Sequence, residues 1–207
     1  MGGLNIMTIT YEYHTSLYVN ITNRCSNACG FCVRTKHDNV NGKDDLWLDR
    51  EPTLAEIKTD FEKRDLSKYD AVVFCGYGEP TERFDDVIAI SKWLKERQPG
   101  ISIRINTNGQ ADLINDRDVT PEMEGIIDVV SISLNAPNAR EYQEICHSRF
   151  GEAAFDAIQQ FAKSAKNYVK KVVFTVVDKT MPSSDIELCR KIAENCGVDF
   201  RIRAYIE

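Results

Sequence analysis

The sequence predicts an α/β protein built as a partial (β/α)6 barrel that is open on one side. Short β-branched runs recur along the chain with helical patterns between them. From the second run onward, their starts lie about 28 to 43 residues apart, which is the spacing of right-handed β–α units. Six such strands are too few to close an eight-stranded barrel. Since no repeat or linker interrupts the pattern, residues 1–207 are expected to form a single domain.

Six strands are predicted from the apolar, β-branched runs. They are Ser16–Thr22, Ala71–Cys75, Ile101–Asn106, Val129–Leu134, Val172–Val177 and Phe200–Ile206. Several are almost continuously apolar, as is typical of parallel strands that are buried on both faces. Residues 6–13 alternate in polarity and predict a further edge strand within an N-terminal extension, residues 1–14.

The helices predicted between the strands have recognisable start and stop signals. A capping box from Thr53 to Glu56 opens the first helix. The last helix is expected to be capped by Ser184 or Asp185 and to end at Gly197. The others are predicted within Phe84–Leu94, Gln110–Gly125, Asn138–Cys146 and Glu152–Val169.

Composition narrows the class of protein before any motif is considered. The chain of 207 residues carries 26 basic and 32 acidic residues, for a net charge of −6. This sign argues against a general nucleic-acid binder. No apolar run is long enough to span a membrane and no secretory signal is visible, so we expect a cytoplasmic protein with no membrane partner. In that compartment seven cysteines favour metal binding over disulfides.

Three of the seven cysteines lie close together directly after the first strand. Cys25, Cys29 and Cys32 form the pattern C-x3-C-x2-C. Three thiolates on one loop can hold three irons of a [4Fe–4S] cube, and the fourth iron then remains open to a substrate. The spacing therefore predicts a catalytic iron–sulfur site, at the strand end where β–α folds usually place their sites.

Zinc is the competing interpretation of the same trio. His37 or Cys75 would supply a fourth ligand and complete a structural site. The chain would then be a zinc-stabilised, non-catalytic binding module. The remaining cysteines are expected to be structural: Cys75, Cys189 and Cys196 as small core residues, and Cys146 beside His147 at a helix end, where neighbouring residues do not face each other.

Polar residues also follow the next three predicted strands. After the second strand come Gly76, Gly78 and Glu79. The two glycines allow a turn in which the backbone approaches a ligand closely, and a carboxylate accepts hydrogen bonds from an ammonium group. The third strand ends in Asn106-Thr107-Asn108-Gly109, and the fourth carries Ser133 and Asn135, which alternate inward and suit a ribose. Such repetition at strand ends favours a ligand site over packing.

These motifs together resemble the radical S-adenosylmethionine (radical SAM) superfamily. The resemblance rests on the C-x3-C-x-aromatic-C motif with Phe31 as the aromatic, followed by the Gly-Glu-Pro turn at Gly78. The segment Tyr11–Cys25 and the residues Val33-Arg34 after the third cysteine are similar to the TatD-associated radical SAM proteins. Tyr77 departs from the family pattern, which commonly has glycine at that position.

The resemblance implies a role for each motif residue. Cys25, Cys29 and Cys32 would ligate the [4Fe–4S] cluster. The residues implied in binding S-adenosylmethionine (SAM) are Phe31 beside the adenine, Gly78 and Glu79 at the methionine ammonium with Asn106 or Thr107, Ser133 and Asn135 at the ribose, and Val177 flanking the adenine.

The resemblance also implies a reaction. Reduced flavodoxin or ferredoxin would supply an electron, SAM would be cleaved reductively, and a 5′-deoxyadenosyl radical would abstract hydrogen from a substrate. An alternative within the same class is a glycyl-radical-enzyme activating enzyme, and the subfamily suggests a functional link to a TatD-type hydrolase. Candidate substrate contacts are Arg34, His37 and Arg203, and the polar Val33–Glu51 loop is a further candidate region for substrate recognition.

Overall fold

A computed structural model describes residues 7–35 and 45–205 of the chain. Within these ranges the chain is an α/β protein with one seven-stranded sheet that does not close, as the sequence predicts. Residues 36–44 of the Val33–Glu51 loop, which include His37, lie outside the described residues. So do the first residue of the predicted edge strand and the last residue of the sixth predicted strand.

The strands are hydrogen-bonded in chain order, so each strand lies beside its neighbours in sequence. The first pair is antiparallel, with Thr10 opposite Val19, and the remaining pairs are parallel. The predicted edge strand and all six predicted parallel strands are therefore confirmed. Their bounds are β1 Thr10–Tyr13, β2 Ser16–Val19, β3 Ala71–Phe74, β4 Ser102–Thr107, β5 Val129–Ser133, β6 Lys171–Val177 and β7 Asp199–Arg203.

Helices occupy the crossovers between the parallel strands from β3 onward, and one precedes β3. The α-helices are α1 Leu54–Glu62, α2 Phe84–Arg97, α3 Ala111–Asn115, α4 Ala139–Cys146, α5 Ala153–Ala165 and α6 Ser183–Cys196. Short 3₁₀ turns precede or follow several of them. None of the helices in the described part of the chain is both long enough and apolar enough to cross a membrane.

The helix ends agree with the sequence at α1 but not at the start of α6. At α1, the Thr53 side chain accepts a hydrogen bond from the Glu56 amide and the Glu56 side chain reaches back, which is the predicted capping box. The predicted cap of α6 by Ser184 or Asp185 is wrong, because that helix begins at Ser183 and has Pro182 as its N-cap. The fixed φ of proline suits this position, and no side chain caps the helix.

The two faces of the parallel strands differ in chemistry. On β4, Ile103 and Ile105 are fully buried and belong to the main core beneath the helices. The alternate residues Ser102, Arg104 and Asn106 point to the other side of the sheet, the concave interior of the partial barrel. The outward face of β4 therefore belongs to the core, and its inward face is polar.

Candidate functional site

The carboxyl ends of the parallel strands surround a cleft of about 250 Å³. Every residue that the sequence predicts as a cluster ligand or SAM contact lines this cleft. They are Cys25, Cys29, Phe31, Cys32, Gly78, Glu79, Asn106, Thr107, Ser133, Asn135 and Val177. Residues from four strand ends and the cysteine loop thus meet in one place, although they span more than 150 positions of sequence.

The cysteine loop follows β2 and folds back on itself through short local hydrogen bonds. The Cys32 amide donates to the Cys29 carbonyl at 3.1 Å, and the Thr35 amide donates to the Cys32 carbonyl at 3.1 Å. The Asn27 amide donates to the Cys25 sulfur at 3.4 Å. Hydrogen bonds to the ligating sulfurs help to set the reduction potential of an iron–sulfur cluster. The Asn27 amide is placed to make such a bond to the Cys25 sulfur.

Without a metal, the three thiols are held in their neutral form. Burial, followed by the nearby Glu79 carboxylate, raises the pKa of Cys25 to about 12. A hydrogen bond with Cys146 and then burial raise the pKa of Cys29, and burial raises the pKa of Cys32. Because a metal binds the thiolate, loading this site must release protons and depends on pH.

The loop is docked on the C-terminal end of α4. The Ala28 amide donates to the Cys146 carbonyl at 2.9 Å, and the Gly30 amide donates to the Ile145 carbonyl at 3.1 Å. The last carbonyls of a helix have no partner inside the helix. The cysteine loop supplies that partner here, so α4 fixes the position of the middle cysteine.

A buried network of polar side chains holds Asn27 of the same loop by hydrogen bonds. The Tyr142 hydroxyl accepts hydrogen bonds from Asn27 Nδ2 at 2.9 Å and from Gln110 Nε2 at 2.8 Å. Gln110 Nε2 also donates to Asn27 Oδ1 at 2.8 Å, and its Oε1 accepts from Ser148 Oγ at 2.9 Å. Each buried donor is satisfied, and such networks rigidify the elements that they join.

The two glycines after β3 are required by contact with the chain itself. A Cβ on Gly78 would lie 2.2 Å from the Thr22 carbonyl oxygen, and one on Gly76 would lie 2.0 Å from Asn20 Oδ1. The next amide, of Glu79, donates to the Arg24 carbonyl at 2.7 Å. Sequence reasoning assigned these glycines to ligand approach, and their close approach in the structure is to the cysteine loop.

Glu79 is buried and joins the turns after β3 and β4. Its Oε1 accepts from the Thr81 amide at 3.1 Å, from Thr81 Oγ1 at 2.8 Å and from Thr107 Oγ1 at 2.8 Å. Its Oε2 accepts from the Asn108 amide at 2.6 Å. Burial raises the pKa of this carboxyl although these hydrogen bonds oppose the shift. A carboxylate oxygen can accept more than one hydrogen bond, so Oε2 retains capacity for a ligand.

The far side of the cleft contains two buried polar atoms without a partner. Asn135 has a left-handed backbone with φ of 58°, and its Oδ1 has no hydrogen-bond partner among the described residues. Arg203 Nε is likewise without a partner there, while its Nη2 donates to Ser133 Oγ at 3.3 Å. Orphaned buried polar groups are costly, and both residues line the cleft. A polar ligand there would offset that cost.

Three cysteines that line one cleft are a donor set that an iron–sulfur cluster can use. In a tetrahedral zinc site with bonds of about 2.3 Å, the sulfurs lie roughly 3.8 Å apart. Within residues 7–35 and 45–205, no three His, Cys, Asp or Glu side chains converge closely enough to hold one ion. In a cube each thiolate binds a different iron, so the three cysteines that line the cleft need not converge on one ion.

The structure corrects one expectation about the cysteines and adds site residues. Cys75 was expected in the core but is only partly buried and lines the cleft, because it lies one residue past the end of β3. Cys189 and Cys196 are buried, as expected. Asn27 and Asn108 also line the cleft. The sequence motif after the third strand contained Asn108 without giving it a role, Asn27 was not singled out, and the long-range hydrogen bonds of their side-chain amides reveal what they hold.

The predicted substrate contacts have different surroundings. Arg34 donates from Nη2 to the Asn27 carbonyl at 3.2 Å, so it braces the cysteine loop. Arg203 lines the cleft and faces Ser133. The third contact, His37, lies outside the described residues.

Comparison with known proteins places this geometry in a family. The model of the Radical SAM superfamily matches residues 19–193, which is most of the chain. The chain belongs to the radical SAM superfamily, whose members are enzymes that use a [4Fe–4S] cluster and SAM. A search of curated proteins returned no match.

Solved structures share the fold at low sequence identity. Streptococcus suis SuiB bound to the precursor peptide SuiA matches with a TM-score of 0.67 and 18% identity, over 96% of this chain and 41% of that one. SuiB bound to SAM matches with a TM-score of 0.61 and 19% identity, over 92% and 38%. Methylornithine synthase (PylB) matches with a TM-score of 0.64 and 14% identity, over 92% and 53%. The chain thus spans about two fifths of the length of SuiB.

Proposed function

We propose that the cleft binds a [4Fe–4S] cluster and SAM and that the chain abstracts hydrogen from a substrate. When bound, the two groups supply reductive cleavage of SAM and a 5′-deoxyadenosyl radical, in an oxidoreductase- or lyase-type reaction. The observation that carries the proposal is the meeting of all predicted cofactor residues in one cleft. A cytoplasmic setting agrees with this use of cysteine, because thiols stay reduced there.

The residues of the cleft divide the binding of the two groups between them. Cys25, Cys29 and Cys32 would hold the cluster. The Gly78 backbone and the remaining capacity of Glu79 Oε2 would receive the methionine ammonium, with Asn106 or Thr107 nearby. Asn135 and Ser133 are the polar groups suited to the ribose, because Oδ1 of the asparagine lacks a partner. Phe31 and Val177 would flank the adenine.

The hydrogen bonds of Glu79 add a second task for that residue. By joining Thr81, Thr107 and the Asn108 amide, the carboxylate fixes the turn after β3 against the turn after β4. Asn108 Nδ2 in turn donates to Ser26 Oγ at 2.8 Å, inside the cysteine loop. One carboxylate thereby holds the ligand-facing turns in register with the cluster loop, which preorganises the cleft.

The partners follow from the same chemistry. The reaction requires an electron donor, for which we propose reduced flavodoxin or ferredoxin, and it requires a substrate that is a small molecule, a peptide or an RNA base. Membership of the TatD-associated subfamily, with its link to a TatD-type hydrolase, rests on the sequence similarity of the segments Tyr11–Cys25 and Val33-Arg34.

A glycyl-radical-enzyme activating enzyme is the second candidate. The sheet stays open between β1 and β7, and an open side would admit a polypeptide loop. One similar structure, SuiB, was solved with a precursor peptide. The positive charge of Arg104, Arg201 and Arg203 inside the barrel favours a small anionic substrate over this candidate.

The test compares two cysteine variants in the anaerobically reconstituted protein. Cys29→Ala removes a proposed ligand, and Cys189→Ala removes a buried cysteine of α6 that lies outside the cleft. With dithionite and SAM, wild type and Cys189→Ala are expected to contain iron and sulfide and to release 5′-deoxyadenosine. Cys29→Ala is expected to release none above background. Zinc without sulfide in the wild type, or undiminished 5′-deoxyadenosine from Cys29→Ala, would contradict the proposal.

A further inference from the structure

The interior of the partial barrel carries positive charge in a chain that is acidic overall. Arg104 on β4 and Arg201 and Arg203 on β7 occupy inward positions of their strands. The chain has a net charge of −6, so this concentration of guanidinium groups runs against its average composition. A closed barrel usually fills such positions with bulky branched apolar residues, and the interior therefore needs another explanation.

The three arginines have no acidic partner within the described residues. Arg104 Nε donates to Asn106 Oδ1 at 2.7 Å and Arg203 Nη2 donates to Ser133 Oγ. No ion pair with a carboxylate is present for any of the three in residues 7–35 and 45–205. Arg203 Nε has no hydrogen-bond partner at all in that part of the chain. Arg104 and Arg203 are partly buried, and buried charges normally have a partner, whereas Arg201 is exposed.

Burial and repulsion by the neighbouring arginines both lower the pKa of Arg104 and Arg203. Burial and then the charge of Arg201 lower the pKa of Arg104. Burial also lowers the pKa of Arg203, and Arg201 and Arg104 add to that shift. The three charges therefore act on one another across the interior, and an anion placed between them would interact favourably with more than one.

A cavity is present where two of them meet. It measures about 530 Å³ and is lined by Arg104 and Arg201 together with residues at the amino ends of β3 to β7. Lys171 and Asp199 also line it, but they are bound to each other at 2.8 Å and so leave its charge balance unchanged. Arg104 donates a hydrogen bond to Asn106, which lines the cofactor cleft, so one hydrogen bond connects the lining of the cavity to the lining of the cleft.

We propose that the interior of the barrel binds the oxoanion group, carboxylate or phosphate, of a small substrate through Arg104 and Arg201, with Arg203 between that group and the cofactor cleft. The proposal rests on the proposed function, since it assigns the substrate class to the same site. Guanidinium forks match both oxoanions in geometry. The neutral glycine loop of a polypeptide would leave these charges unpaired, so the proposal favours a small anionic substrate over a glycyl-radical enzyme.

The test is calorimetric titration of the reconstituted full chain with two dianions, sulfate for the phosphate geometry and succinate for the carboxylate. Wild type is expected to bind at least one of them with a Kd of about 1–10 mM, as suits a small fragment of a ligand. Arg104→Gln and Arg201→Gln are each expected to weaken that binding by about tenfold or more, since each removes a charge-assisted contact. Arg140→Gln is the matched control, because this exposed arginine pairs with Glu144 on α4.

A second readout separates ligand binding from a purely structural role. The bound dianion is expected to raise the Tm of wild type and of Arg140→Gln and to leave the Tm of Arg104→Gln unchanged. Tighter binding of sulfate would support the proposal with a phosphorylated substrate, and tighter binding of succinate would support it with a carboxylate.

Absence of binding to 100 mM of either dianion, or equal Kd values in all variants, would overturn the anion site. This failure is distinct from failure of the proposed function. An enzyme that releases 5′-deoxyadenosine without binding a dianion would lose only the substrate class, and a chain that binds dianions without cleaving SAM would lose only the radical chemistry.

Discussion

Polar groups at the rim of the barrel, where the carboxyl ends of the strands surround the cleft, differ in their hydrogen bonding from those in its interior. At the rim, Glu79, Tyr142 and Asn27 each have several hydrogen-bond partners within the chain. In the interior, Arg104 and Arg203 are partly buried without an acidic partner among the described residues. Among the described residues these rim groups are paired within the chain, whereas the interior arginines, and Asn135 on the far side of the cleft, keep polar groups that a ligand would pair. Substitutions in the two regions should therefore differ in sign as well as in size.

The largest effect is expected at the rim from Gly78→Ala. The new Cβ would lie 2.2 Å from the Thr22 carbonyl oxygen, a backbone atom that cannot rotate away. We expect a loss of about 2–4 kcal/mol in the free energy of unfolding and reduced iron content after reconstitution. Gly100→Ala is the control, because nothing lies within 4 Å of a Cβ at that position. Equal stability of the two variants in urea unfolding would contradict the contact.

A smaller effect is expected from Tyr142→Phe, which removes one oxygen from the network under the cysteine loop. Asn27 and Gln110 would each lose an acceptor in a buried place. We expect a loss of about 1–3 kcal/mol, with the core packing of the ring retained. Tyr69→Phe removes an exposed hydroxyl that bonds Glu12, and it should cost less than half as much in the same urea unfolding experiment.

Asp128 provides a satisfied charge at the amino end of the strands, and its effect should depend on pH. The carboxylate accepts hydrogen bonds from Lys95 Nζ at 2.6 Å and from the Ile103 amide at 2.8 Å, and Lys170 Nζ is 2.6 Å away. Burial alone would raise its pKa, but Lys170 and Lys95 outweigh burial and hold the pKa below its usual value. A lowered folded-state pKa means stability that is present above the unfolded value of about 3.9 and is lost as the pH falls through the lower one.

Asp128→Asn is therefore expected to destabilise the protein by about 1–2 kcal/mol at pH 7. The difference from wild type should shrink as the pH falls below about 4, where the wild-type carboxyl also becomes neutral. Urea unfolding at pH 7, 4 and 3 measures it. A difference that stays constant across these pH values would mean that packing, not charge, is responsible.

The smallest effect, and the one of opposite sign, is expected in the interior. Arg104→Gln without added anion removes a partly buried charge that repels Arg201 and Arg203. We expect the free energy of unfolding to stay the same or to rise by up to about 1 kcal/mol. A loss comparable to that of Tyr142→Phe would show that the interior arginines stabilise the fold, and the contrast between rim and interior would fail.

The sequence was sufficient for the strands and for grouping the candidate residues that line the cleft, because both depend on local patterns. Buried parallel strands are continuous apolar runs, and their carboxyl ends meet at one edge, so Cys25, Glu79, Asn106 and Ser133 could be grouped without coordinates. The capping box at Thr53 is local in the same way. Pro182 as the N-cap of α6 was missed because both serines and the aspartate after it fit the usual capping preference.

What could not be predicted depends on contacts between distant segments. The docking of the cysteine loop on α4 joins Ala28 to Cys146 through backbone atoms that carry no sequence signal. Arg104 and Arg201 are separated by almost a hundred residues and meet only because β4 and β7 curve around one interior. The glycines at 76 and 78 were recognised, but the atoms that make them necessary belong to the loop after β2.

The central claim is that Cys25, Cys29 and Cys32 would hold a [4Fe–4S] cluster in the same cleft that would bind SAM, with one iron left without a protein ligand. Electron paramagnetic resonance of the dithionite-reduced protein, recorded with and without SAM, tests it most directly. The claim predicts the signal of a reduced [4Fe–4S] cluster whose g-values shift when SAM is added, in wild type and in Cys189→Ala. A cluster signal that SAM leaves unchanged, or a protein that holds zinc and gives no signal, would contradict it.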